Sequence, residues 1–175
     1  APPNSIIRNR DAYRQTTADW MQLVRAIQVG MDVDGDGAPD LDASHISYFA
    51  PSWGGNMGAI FLAVGPDVRT GVLINLGAGG DVSFQRLSPV SRPEIGAQLQ
   101  ARTPSLINSP GLTSIGGVPV AGPYFNENIP LRNQAPVINS VDGAMAIQEF
   151  IEHSEWVGQS ADPAAYAAHL RKNPL

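Results

Sequence analysis

Cysteine is absent from the 175 residues, so no disulfide can staple the fold. That suits a cytosolic protein or an exported one that relies on its core or on a metal. Positive charge is scarce as well: 11 Lys and Arg stand against 16 Asp and Glu, for a formal net charge of -5. Such a balance leaves no basic face for a phosphate backbone or an anionic membrane, and nucleic acid is not an expected partner. No apolar run reaches the eighteen or so residues of a membrane span, because Gly, Pro or Asp breaks each candidate, and no transmembrane segment is expected. An initiator Met and a signal-peptide h-region are also missing before Ala1-Pro2-Pro3, which reads as a mature or processed piece of a longer precursor.

What is present describes an α/β chain with a core of its own, 43% hydrophobic and read as part of a single domain over 1–175. Its 15 prolines are uneven, eight of them falling between Asp81 and Ser140. They divide it into a segment 1–80, a Pro- and Gly-rich stretch 81–140 and a helical segment 141–175. Trp20, Leu23, Val24 and Ile27 have the spacing of an amphipathic helix over Asp19 to Ile27, with Thr16 or Thr17 as cap and Gly30 past its end. Ile46 to Ala50 reads as a short strand that stops at Pro51, and Asn56 to Val64 as a buried helix closed by Gly65-Pro66. Thr70 to Leu76, ended by Gly77-Ala78-Gly79-Gly80, is a second strand of the kind found in a covered parallel sheet, which completes a βαβ unit. The stretch 81–140 shows no sustained period beyond a brief helix at Glu94 to Gln100. Its scattered Phe84, Leu87, Tyr124 and Phe125 point to a lid-like insertion that packs. Asp142 and Asp162-Pro163 then open two further helices.

The sharpest constellation is Tyr48-Phe49-Ala50-Pro51-Ser52-Trp53-Gly54-Gly55-Asn56. A Ser on the turn between a hydrophobic strand and a helix, with small residues two before and two after, is the pattern of a nucleophile elbow. Such a turn strains the Ser backbone and lifts its hydroxyl above the sheet, while the close approach of strand and helix demands small neighbours. A helix that begins just after Ser52 aims its unpaired N–H groups at the site, so the Trp53 amide is placed to donate to an oxyanion. Ala-x-Ser-x-Gly is also a pentapeptide in which Ser merely caps a helix; the strand before and the helix and strand after favour the elbow.

A second constellation is Asp32-Val33-Asp34-Gly35-Asp36-Gly37-Ala38-Pro39-Asp40-Leu41-Asp42, whose five carboxylates repel one another unless a cation neutralises them. Asp at loop positions one, three and five, Gly at six, a carbonyl at seven and Asp at nine match an EF-hand-type calcium loop. Position twelve is Ala43, so Asp42 or water must stand in for the bidentate Glu. The expected ligands of a structural Ca2+ are Asp32, Asp34, Asp36, the Ala38 carbonyl, Asp40 and Asp42. The plainer reading is an acidic solvated turn.

With Asp34 to Asp42, Ile46 to Gly55, Phe61-Leu62-Ala63 and Val68 to Leu73, the chain resembles bacterial α/β-hydrolase carboxylesterases and lipases, the exported kind labelled virulence-factor lipases. The similarity extends through Phe125-Asn126-Glu127-Asn128 and Glu155-Trp156-Val157. It implies an α/β-hydrolase core, an ester or lipid-like substrate, Ser52 as nucleophile and the Trp53 amide in the oxyanion hole. Ala50 and Pro51 stand where such enzymes usually carry Gly and a polar residue.

A Ser hydrolase also needs a His and an acid. The order Ser52, Asp142 or Asp162, His169 exists, but these Asp sit where helix caps belong, and His153 and His169 lie within helical stretches. His45 reads as a surface residue. The His–acid pair is therefore expected from a complementary polypeptide of the same precursor or a partner subunit. The Ca2+ loop tilts localisation to a secreted or extracytoplasmic setting. The alternative function is a noncatalytic calcium-stabilised binding or scaffolding domain with a vestigial serine.

Overall fold

The computed structural model describes residues 6–77, 86–115, 117–129 and 140–172. Ala1-Pro2-Pro3, Ala78-Gly79-Gly80 and Phe84 lie outside them. By its contacts the chain divides into two compact units, Ala1–Gly79 with Val157–Leu175, and Gly80–Trp156.

In the first unit α1 runs from Ile6 to Gly30, well beyond the Asp19 to Ile27 that periodicity predicts. The buried stripe is Tyr13, Thr17 and Val24, with Trp20 beside it, whereas Leu23 is 51% exposed. Thr17 is not a cap: its hydroxyl donates to the Tyr13 carbonyl at 3.0 Å, the way a threonine satisfies itself inside a helix. Gly30, at φ +108°, ends α1 in a backbone region that disfavours a side chain.

Strand β1, Ser47–Pro51, leads directly into α2, Ser52–Val64, and on to β2, Thr70–Ile74. The strands pair in parallel, with Ser47 opposite Thr70 and Pro51 opposite Ile74. This is the expected βαβ unit, with α2 starting four residues earlier than the expected Asn56 and β2 stopping two short of Leu76. One face of the pair, carrying Tyr48, Ala50, Gly71 and Leu73, packs on α2. A Cβ on Gly58 would collide with the Tyr48 ring and one on Gly71 with Leu62. Those glycines let helix and strands approach closely. Against α2 also pack α1 and the last helix, here α5, Pro163–Lys172, reached through a 3-10 turn at Gln159–Ala161. Tyr13, Ile60 and Ala161 form one buried cluster and Val24, Phe61 and Val68 another.

The second unit holds α3, Ser91–Gln100, a two-residue antiparallel ladder of β3, Ser114–Ile115, with β4, Val118–Pro119, and most of α4, Ala144–Gly158. Helix α4 begins two residues after Asp142. The stretch 81–140, read as a lid-like insertion, shares a core with the helical segment after it: Ile95, Leu99 and Phe125 cluster with Ile147 and Ile151 of α4. The architecture is thus α/β, with five helices and a two-stranded parallel sheet among the described residues.

Candidate active site

Ser52 occupies the junction of β1 and α2 with φ +51°, in the left-handed region that residues with a Cβ rarely enter. Such a conformation costs on the order of 1–3 kcal/mol and persists only where surrounding packing enforces it. The packing is visible on both sides. Ala50 is buried beneath the turn, and a Cβ built on Gly54 would stand 2.9 Å from the Ala50 Cβ. Pro51 precedes α2 in extended backbone and offers no side-chain cap, so the first amides of the helix, Trp53 among them, have no capping acceptor from it. The turn leaves a hydroxyl beside helix N–H groups that favour negative charge.

Two side chains absent from the sequence-based site hold this geometry. The Tyr48 hydroxyl donates to the Gly54 carbonyl at 2.8 Å, and burial pushes its pKa up. The Asn56 carboxamide oxygen accepts from the Gly77 amide at 2.7 Å, tying the segment after β2 to the start of α2. The carboxyl ends of two parallel strands therefore meet at one helix N-terminus, the place where open α/β sheets bind ligands. Tyr48 was legible only as a strand residue and Asn56 only as a helix residue, since neither type has a fixed offset in the elbow pattern. Trp53 is 51% exposed and sets its ring edge-on to Tyr13, centroids 5.3 Å apart at 72°.

Among the described residues of the first unit, neither His45 nor His169 hydrogen-bonds to Ser52. His45 instead faces Asp42 at 2.6 Å and the Ser44 hydroxyl at 2.8 Å. The His169 ring lies beside Tyr166 on α5. Asp162 caps α5, its carboxylate accepting from the Ala164 amide at 2.9 Å. His153 and Asp142 belong to the second unit.

The aspartate loop folds on itself. Asp32 accepts from the amides of Gly35 and Gly37 at 2.6 and 2.9 Å, Asp34 from Asp36, Asp36 from Ala38, and Asp40 from Val33. Carboxylate oxygens of Asp32, Asp34 and Asp40 lie within 4.8 Å of one another and are exposed, a donor set of hard oxygens that suits calcium. Asp36 and Asp42 are not in that group. Asp42 is engaged by the Ser44 hydroxyl, His45 and the Ser44 amide, which hold its carboxyl at about 2.

A further buried cluster was invisible in the sequence. In the second unit Glu127, 1% exposed, pairs with both Arg86 and Arg92, and the Arg92 guanidinium lies 3.8 Å from the Phe125 ring centroid. Its carboxylate binds both guanidinium groups within one core.

No protein-family model matches this chain, and no curated protein or solved structure is significantly similar to it.

Proposed function

We propose that this chain carries the nucleophile of a serine hydrolase acting on carboxylic esters, within an α/β-hydrolase core. The observation that supports the reading is Ser52 at φ +51° between a parallel strand and a helix, with Ala50 and Gly54 packed against each other beneath it. In this reading the Ser52 oxygen attacks the acyl carbon while its proton passes to a histidine. The Trp53 amide donates to the developing oxyanion, and the alcohol leaves with the returned proton. Water then takes the acyl group from Ser52. The histidine and its acid come from a complementary polypeptide of the same precursor or from a partner subunit.

The aspartate loop supports a second element of the proposal. Asp32, Asp34 and Asp40 would hold a structural Ca2+, with Asp36 and the Ala38 carbonyl as further donors, and the ion would neutralise their mutual repulsion between α1 and β1. Calcium sites of modest affinity suit an extracytoplasmic setting. If Ser52 is inert, the same loop favours a noncatalytic calcium-stabilised binding or scaffolding domain. A fluorophosphonate probe separates the two: in millimolar calcium with its complementary segment present, the wild-type chain is labelled and Ser52→Ala is not. An unlabelled wild-type chain in that assembly contradicts the hydrolase reading.

A further inference from the structure

The Tyr48 side chain reaches out of β1 and ends on the first turn of α2. Its ring is held by three contacts: Trp20 of α1 at 5.2 Å between centroids, Phe61 of α2 at 5.5 Å, and the bare backbone of Gly58. Trp20 and Phe61 also meet edge-on at 5.6 Å, so the three rings form a closed aromatic triangle with little room for Tyr48 to change rotamer. The hydroxyl at the end of this fixed ring donates to the Gly54 carbonyl at 2.8 Å. Gly54 is two residues from Ser52 and belongs to the turn that presents the Trp53 amide. That turn has no side-chain cap from Pro51, and its glycines at 54 and 55 have no side chains of their own with which to resist motion. A single hydrogen bond from a rigid donor is therefore well placed to fix the peptide planes that face the site.

We infer that Tyr48 is a positioning residue for the oxyanion turn, linking helix α1 through Trp20 to the peptide groups beside Ser52. The inference rests on the reading of Ser52 as a nucleophile. It adds that the geometry of the donor amide is set from below, by a strand side chain, and not only by the helix itself. An oxyanion donor is effective because it is already aimed before the charge develops. Loosening its turn therefore slows the chemical step and leaves substrate binding in place. The raised pKa of Tyr48 keeps the hydroxyl protonated as a donor throughout the neutral and mildly alkaline range.

The test uses the full chain in millimolar calcium with its complementary segment, and the variants Tyr48→Phe and Leu73→Ala. Leu73 packs on the same Gly58 stretch but makes no bond to Gly54, so its truncation reports what a general loss of packing does. Three quantities are measured in each: the rate of Ser52 phosphonylation, kcat and KM on a short-chain p-nitrophenyl ester, and backbone amide order parameters at Trp53, Gly54 and Gly55. For Tyr48→Phe the expected result is a fall of about tenfold in phosphonylation rate and kcat, KM unchanged, with lower order parameters at those three amides. Leu73→Ala lowers Tm more than Tyr48→Phe does and leaves kcat within twofold of wild type. A Tyr48→Phe chain that reacts at the wild-type rate overturns the inference while leaving Ser52 as nucleophile. So does a Leu73→Ala chain slowed equally, because Tyr48 would then be only a packing residue. A wild-type chain whose Ser52 never reacts removes the nucleophile reading, and the role of Tyr48 falls with it.

Discussion

Ser52 and Asp42 show how much a single residue's surroundings decide. Ser52 was readable because its constraints are local: a strand before, a helix after, and small residues at fixed offsets. Its backbone at φ +51° is what those constraints produce. Loop spacing makes Asp42 a candidate calcium ligand, yet its carboxylate accepts from Ser44 and His45, partners that loop spacing does not reveal. Its carboxyl falls from 3.8 to about 2. A carboxyl depressed in the folded chain contributes its hydrogen bonds fully above the unfolded value, 3.8, and loses them as the pH falls through about 2. An NMR pH titration should therefore show the Asp42 carboxyl carbon shifting near pH 2, and the Ser44 amide moving with it. A midpoint close to 3.8 would mean that the Asp42, Ser44 and His45 turn does not hold in solution. Glu127 stands at the other extreme. Nothing in the sequence announces that Asn126-Glu127-Asn128 would bury a carboxylate between two arginines, because that pairing joins residues more than thirty positions apart.

At the scale of elements, the sequence located α2, β1 and β2 but misjudged their ends, and it gave no sign of the short β3–β4 ladder. Helix α1 was cut short because Thr16 and Thr17 look like caps, and because its first half, from Ile6 to Ala18, carries its buried positions on Tyr13 and Thr17, one of them polar. Tertiary packing against Ile60 and Ala161 supplies what apolar periodicity lacked there. The alternating Asp of the loop between α1 and β1 suggests a cation loop, and in the structure carboxylate oxygens of Asp32, Asp34 and Asp40 lie within 4.8 Å of one another. Ligand binding to the folded state alone stabilises it by about 3 kcal/mol at a hundredfold excess over Kd. In a chain of this length that is a Tm rise of roughly 5–10 °C between EDTA and saturating calcium. Asp34→Ala should abolish the rise. Magnesium should reproduce little of it, because the loop offers a flexible cage of oxygens and not a compact octahedron. Equal melting curves with and without calcium, in both wild type and Asp34→Ala, would leave the loop as a self-bonded acidic turn.

For the whole molecule, the decisive feature is the side of the β1–β2 pair that α2 does not cover. Residues alternate across a strand, so Phe49, Pro51, Val72 and Ile74 share the face opposite Tyr48, Ala50, Gly71 and Leu73. Phe49 pairs with Val72 and Pro51 with Ile74, so the four side chains form one contiguous apolar patch. Phe49 is 69% exposed, Val72 48% and Ile74 42%. Among the described residues no further strand pairs with either edge. Parallel sheets are ordinarily covered on both faces, and two strands alone make a poor sheet. The run Val72-Leu73-Ile74 has the continuous apolar character of a strand built for burial on both sides, which is why the sequence reads as a covered sheet, while among the described residues of the first unit only the α2 face is covered. The proposed complementary polypeptide would supply the second layer. The chain by itself should bind 8-anilinonaphthalene-1-sulfonate and associate with rising concentration in sedimentation velocity, and Phe49→Ser with Val72→Thr should weaken both, since these residues face solvent and not α2. Addition of the complementary segment should abolish dye binding in the wild type. If the isolated chain sediments as a monomer at all concentrations, leaves the dye dark and still hydrolyses a short-chain ester, the outward face needs no cover and the catalytic histidine lies within these 175 residues.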